Sequence, residues 1–147
     1  MNSRDDFLYR RELAEGFLKE AEDDFRLKRY RSCVDNSQLC LENAAKAIVA
    51  LFEPVEKTHT PEEQLSKLLL EKEIEKEIRE KLKEFLPLWG QLGFREHILS
   101  DYGDESERIT PWRLFGEEEA RTSLAIAQRG IAIVDEIKKL LSLECNC

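Results

Sequence analysis

The 147-residue sequence predicts an all-α fold, an up-and-down antiparallel bundle of four to five helices. Apolar residues recur at three- and four-residue steps along four separate segments, the period of a helix face turned toward a core. The first two segments are joined by so few residues that they must fold back on each other as a hairpin. No run alternates apolar and polar residues as a half-buried strand does, and no glycine-rich phosphate loop or internal repeat interrupts the pattern.

The first helix spans about Asp5 to Lys28, with Phe7, Leu13, Ala14, Phe17, Leu18, Ala21 and Phe25 on its apolar face. The second follows after a break near Arg29 and Tyr30 and runs to about Phe52. Leu39, Cys40, Ala44, Ala47, Ile48 and Leu51 form its buried stripe, while Gln38, Glu42, Asn43 and Lys46 occupy intervening positions. The third opens on a capping box: Thr60 as N-cap, Pro61 at the first helical position and Glu63 three residues after the cap. Leu65, Leu68 and Leu69 give it an apolar face. The charged repeat from Glu71 to Glu84 then carries Ile74, Ile78, Leu82 and Phe85 at helical spacing. Its alternating signs read as a solvated face with i,i+4 pairs. Pro87, Gly90 and Gly93 mark a bend or restart near Trp89. Asp101 to Gly116 lacks sustained periodicity and reads as a long loop. The last helix begins near Glu117, where three consecutive glutamates complement the positive helix N-terminus. Ala120, Leu124, Ala127, Ile131, Val134 and Leu141 form its seam.

The length suits one compact domain, residues 1–147, with a flexible tail from about 144. A formal charge of −8 argues against a general nucleic-acid coat, so any RNA contact must be local. No apolar run is long enough to span a bilayer, and the start lacks a signal-peptide core, so the expectation is a cytoplasmic protein with no membrane partner. Cys33 and Cys40 lie seven residues apart on one helix, roughly 10 Å, which is too far for a mutual disulfide. They read as core residues. The terminal Cys145 and Cys147 fall short of a zinc site, lacking a partner histidine nearby. No metal and no cofactor is expected.

The run from Asn36 to Phe52, with its Gln-x-x-x-Glu-Asn-Ala-Ala-Lys-Ala core, resembles the second helix of the HEPN domains, the "higher eukaryotes and prokaryotes nucleotide-binding" family. The likeness extends to the amphipathic first helix and to Thr58-His59-Thr60-Pro61 before the third. It continues in an arginine-containing segment ending in Asp101-Tyr102, and in a Pro-aromatic loop before the acidic helix start at Glu117. The resemblance implies a homodimer that binds a nucleotide or RNA, or a small nucleotidyltransferase partner in a toxin-antitoxin-like setting. Many members are metal-independent ribonucleases whose hallmark is Arg, four to six residues, then His. Here Arg95-Glu-His-Ile-Leu-Ser-Asp-Tyr102 has Ser100 in the histidine slot, and an unactivated serine cannot transfer protons near pH 7.

The candidate binding residues are therefore Arg95, Ser100, Asp101, Tyr102, Glu42 and Lys46, in a protein whose ribonuclease motif is degenerate. The alternative is a ribonuclease using Arg95 and His97 as catalytic residues, although a two-residue step sets them about 200° apart on a helix. A further alternative is a helical adaptor that binds protein and no nucleotide. If only the base is missing, Ser100→His is expected to create cleavage. Trp89, Phe94 and Tyr102 exceed what one small core requires and favour dimerisation. The basic cluster Arg26-Leu-Lys-Arg-Tyr-Arg31 either holds a phosphate or complements a helix C-terminus. Glu42 and Lys46 either pair with each other or line the cleft that the resemblance implies.

Overall fold

The hairpin of α1 (Ser3–Arg26) and α2 (Tyr30–Ala50) is the centre of the molecule, and its second helix is the more deeply enclosed. A computed structural model describes residues 3–71 and 73–144. Five further helices follow: α3 (Glu62–Glu71), α4 (Lys76–Gln91), α5 (Phe94–Tyr102), the single turn α6 (Pro111–Leu114) and α7 (Glu117–Glu144). Among the described residues there is no strand, only an isolated bridge between Asp104 and Ile109. The fold is all-α, as the periodicity predicts. No helix among the described residues is long and apolar enough to cross a membrane.

Fifteen of the 21 residues of α2 are buried, because α1 and α7 pack along it and α3, α4, α5 and α6 all touch it. Small side chains make this possible. Ala44, Ala45, Ala47 and Ala50 let neighbouring helices approach closely, while Val34, Leu41, Ile48 and Val49 fill the space between them. At Gly130 of α7, a Cβ would stand 2.5 Å from Leu41 Cδ1, so any larger residue there would force the buried Leu41 side chain to shift. Cys33 and Cys40 are free and buried, and burial pushes their thiols up to about 11 and about 12, which keeps them inert. Ion pairs tie the outside of the bundle. Arg11 of α1 forks onto Asp135 of α7 at 2.7 and 3.0 Å, and Arg129 of α7 meets Glu84 of α4 at 2.7 Å.

Several local expectations need correction. The third helix does not continue through the charged repeat: it stops at Glu71, residues 73–75 are not helical, and α4 restarts at Lys76. The apolar spacing runs on across this break, which is why periodicity could not reveal it. Arg79 of α4 donates to the Leu69 carbonyl at 2.5 Å, serving one of the free acceptors at the end of α3. The restart expected near Trp89 does occur, at Leu92 and Gly93 between α4 and α5, while Pro87 itself lies inside α4. The capping box is absent: the Thr60 N–H donates to Thr58 Oγ1 at 3.0 Å, and the two threonine hydroxyls bond at 2.8 Å. The stretch from Asp101 to Gly116 is ordered by α6 and by the turn that the Asp104–Ile109 bridge closes. Lastly, Leu51 follows the end of α2 and is only partly buried, whereas Ala44 and Ile48 are fully buried. The expected tail, with Cys145 and Cys147, lies outside the described residues.

Two stability results follow from this packing. Ile48→Ala should cost about 2–5 kcal/mol and Leu51→Ala distinctly less, measured by urea unfolding. Gly130→Ala should destabilise by about 1–2 kcal/mol although alanine is the better helix former, since overpacking against Leu41 outweighs the gain in propensity. A stabilised Gly130→Ala variant would show that the α2–α7 contact is looser than described.

Candidate functional site

Helix α2 carries polar residues at Asp35, Gln38, Glu42 and Lys46, steps of three and four that put them on one stripe. On a surface helix such a stripe would be hydrated. Here Gln38, Glu42 and Lys46 are buried and Asp35 is half-buried, so each needs a protein partner or bears a desolvation cost. Glu42 and Lys46 pair at 3.4 Å, and the segment before α3 brings His59 Nδ1 within 3.2 Å of both Glu42 carboxylate oxygens. An ionised carboxylate only accepts hydrogen bonds, so Nδ1 carries the proton and Nε2 is left for another partner. The Gln38 amide makes no hydrogen bond among the described residues.

The second wall is α5, which packs across α2. His97 and Ser100 turn inward from it. The His97 ring stacks on that of His59, centroids 4.9 Å apart and planes inclined 21°. Ser100 is fully buried, and its hydroxyl donates to Asp35 Oδ1 at 3.2 Å, with the His97 carbonyl at 3.1 Å. Arg31, from the first turn of α2, donates to the Ser100 carbonyl at 2.9 Å and stands 3.7 Å from both Asp35 and Asp101. Its guanidinium also lies 6.0 Å from the Trp112 ring. The result is one continuous polar seam from Lys46 through Glu42, His59 and His97 to Asp35, Asp101 and Arg31.

Gly103 closes this wall. It ends α5 with φ +73° and ψ −165°, a conformation open essentially to glycine, and a Cβ there would meet the Ile109 carbonyl at 2.2 Å. Burial raises the Asp35 carboxyl above its ordinary range; Asp101 adds to the rise, and Arg31 and the Ser100 hydroxyl oppose it.

Not every candidate residue joins the seam. Arg95 leaves the opposite side of α5, exposed and without a hydrogen bond or ion pair among the described residues. His97 and Arg95 are therefore not brought together within one chain. Tyr102 lies two turns from Arg95 on the same outer face, 62% exposed, with Phe94 at 44% and Ile98 at 37%; Trp112 on α6 is 72% exposed. Trp89, expected from sequence to favour dimerisation, is buried and belongs to the core. The basic cluster also divides: Arg26 pairs with Asp23 and Arg29 faces Asp24, while Arg31 alone enters the seam. Asp35 and the contact between His59 and Glu42 were not found by sequence reasoning. The signal for Asp35 was present, because it continues the spacing of Gln38, Glu42 and Lys46.

Comparisons with known proteins agree with this architecture. The profile of a family described as HEPN domain matches residues 8–137, most of the chain. Among solved structures, the crystal structure of TT1696 from Thermus thermophilus is similar with a TM-score of 0.63 and 22% identity, covering 93% of this chain and 99% of that one. At that identity the likeness speaks for the fold. No curated protein matches the sequence.

Two outcomes are expected at this wall. Because the Asp35 pKa is raised in the fold, its ionised form costs stability, a cost absent below the unfolded value of 3.8 and fully present once pH passes the folded value. Asp35→Asn should therefore gain stability relative to wild type as pH rises from about 3 to about 6, read from paired thermal melts. Ser100→His, expected from sequence to restore cleavage, should instead destabilise by about 1–3 kcal/mol, since an imidazole in a fully buried serine position must displace Asp35 or α5.

Proposed function

The chain belongs to the HEPN domain family, and on that premise we propose that it is a nucleotide- or RNA-binding protein that acts as a homodimer. The observation that carries the reading is the His59–His97 stack over the buried Glu42–Lys46 pair. The His59 side chain is 58% exposed, its Nδ1 is held by Glu42, and its outward nitrogen is free to meet a phosphate or a ribose hydroxyl. With a net charge of −8, the chain attracts such a ligand only where cations are concentrated. Arg95, exposed on the outer face of α5, supplies one. The dimer in this reading forms through the outer face of α5, where Phe94, Ile98 and Tyr102 are exposed. A small nucleotidyltransferase is the protein partner, as in a toxin-antitoxin pair.

A second reading is favoured by one contact. A carboxylate that orients an imidazole through Nδ1 is the arrangement of a general base. Glu42 and His59 have that geometry at 3.2 Å, so metal-independent RNA cleavage with His59 taking the 2′-hydroxyl proton and His97 stacked beside it is the alternative. In this version the imidazole needed for proton transfer comes from before α3, while His97 keeps a supporting position.

Binding of a fluorescent oligoribonucleotide, followed in EDTA at several salt concentrations, tests both readings. Wild type should bind, and binding should fade as salt rises. His59→Ala and Arg95→Ala should each weaken it several-fold; Arg95→Ala should leave the melting temperature nearly unchanged, since that side chain is exposed, whereas His59→Ala should lower it by taking a partner from the buried Glu42. Cleavage by wild type that His59→Ala abolishes would establish the second reading. Light scattering should give a dimer mass that Phe94→Glu converts to monomer. Neither binding nor cleavage, with a monomer mass across micromolar concentrations, would remove the proposal in favour of a protein-binding adaptor.

A further inference from the structure

We propose that Asp35, His97 and Asp101 form a binding site for a divalent transition-metal cation of the zinc or manganese class, bridging α5 to α2. One carboxylate oxygen from each aspartate and one ring nitrogen of His97 all lie within 4.8 Å of one another. Three ligands at about 2.0–2.2 Å from a common ion stand roughly 3 to 3.8 Å apart, so side-chain rotations that draw the atoms together by up to about an ångström complete the set. The supporting structure is already present. His97 and Asp101 are four residues apart on α5 and share a face, Asp35 reaches them from α2, and the Ser100 hydroxyl fixes one Asp35 oxygen at 3.2 Å.

An independent observation points the same way. His97 Nδ1 is buried and has no hydrogen-bond partner among the described residues. Buried polar atoms are nearly always satisfied, so an imidazole with an orphaned nitrogen, grouped with two carboxylates, has donor capacity that a cation can use. The donor set also selects among cations: an imidazole nitrogen with two carboxylates suits Zn²⁺, Mn²⁺, Co²⁺ or Ni²⁺, whereas Mg²⁺ and Ca²⁺ prefer all-oxygen surroundings.

Arg31 is the competitor. Its guanidinium is 3.7 Å from each carboxylate and brings one positive charge to the place where the two carboxylates meet. Arg31 does not depend on the aspartates for its position, because it also donates to the Ser100 carbonyl at 2.9 Å and to Ser32 Oγ at 3.0 Å. Removing its charge should therefore tighten metal binding, an effect opposite to the loss expected if these residues were merely a structural ion-pair network. RNA binding as proposed above uses His59 and Arg95 and requires no metal, so either property can fail without the other.

Calorimetric titration of the EDTA-stripped, reduced full chain with Co²⁺ and with Zn²⁺ is the test, run alongside Asp101→Asn, His97→Gln, Arg31→Met and a Cys145→Ser/Cys147→Ser double variant. One ion per chain is expected, with a rise in melting temperature that equal Mg²⁺ or Ca²⁺ does not produce. Loss of a group that merely orients a metal ligand already weakens binding by about 10–100-fold, so His97→Gln and Asp101→Asn should lose on the order of tenfold or more. Arg31→Met should bind more tightly than wild type. Asp101 is exposed, so its variant reports on the site even where His97→Gln perturbs folding. No binding, equal binding by wild type and Asp101→Asn, or binding that disappears only in the cysteine variant would overturn the proposal.

Discussion

Glu42 is a carboxylate in the one helix of the bundle that every other described helix touches, and the candidate site is built outward from it. Removing such a group from water costs several kcal/mol unless its partners compensate. Two are present: Lys46, one turn on along α2, and His59, brought from the segment before α3. Holding His59 in turn fixes where the chain leaves α2 and enters α3, and His97 of α5 stacks on the ring so positioned. Helix α7 packs closely along α2, with Gly130 set against Leu41. A rigid apolar side thus holds a polar side in register.

Such a seam is costly as pure architecture. Apolar side chains of similar size would close the same space at equal or lower free energy, as replacements of buried ion pairs by hydrophobic residues often do. Retaining Asp35, Gln38, Glu42 and Lys46 along one stripe, with a half-exposed imidazole at its rim, is what a binding site requires. The outer face of α5 differs in character. Phe94, Ile98 and Tyr102 are exposed there beside Arg95, so a single nine-residue helix presents the seam on one side and an apolar surface with an exposed cation on the other.

The helices were legible because helical periodicity is a long, redundant signal: the stripe through Ala44 and Ile48 and the seam of α7 both lie where spacing put them. The family was legible from the polar residues set within the second helix. What escaped were features that depend on a partner far along the chain. The stop after α3 was hidden because Ile74 and Ile78 keep a helical step across residues that are not helical. Thr60 looked like half of a capping box, yet its N–H and hydroxyl both turn to Thr58. Ser100 looked like a vacant histidine slot, but its hydroxyl is committed to Asp35, 65 residues away. His97 and Arg95 were correctly seen to diverge on a helix, while the contacts of His59 with Glu42 and with His97 could not be read from spacing, since three separate segments meet there.

If the α2 seam is kept for a ligand and not for stability, the double variant Glu42→Met/Lys46→Met should show it. Removing both charges together leaves neither buried alone, so the measured change reports the net worth of the pair with its surroundings. The urea unfolding free energy is expected to be unchanged or raised. A fall of about 3 kcal/mol or more would contradict this, and would make the seam part of what holds the bundle together.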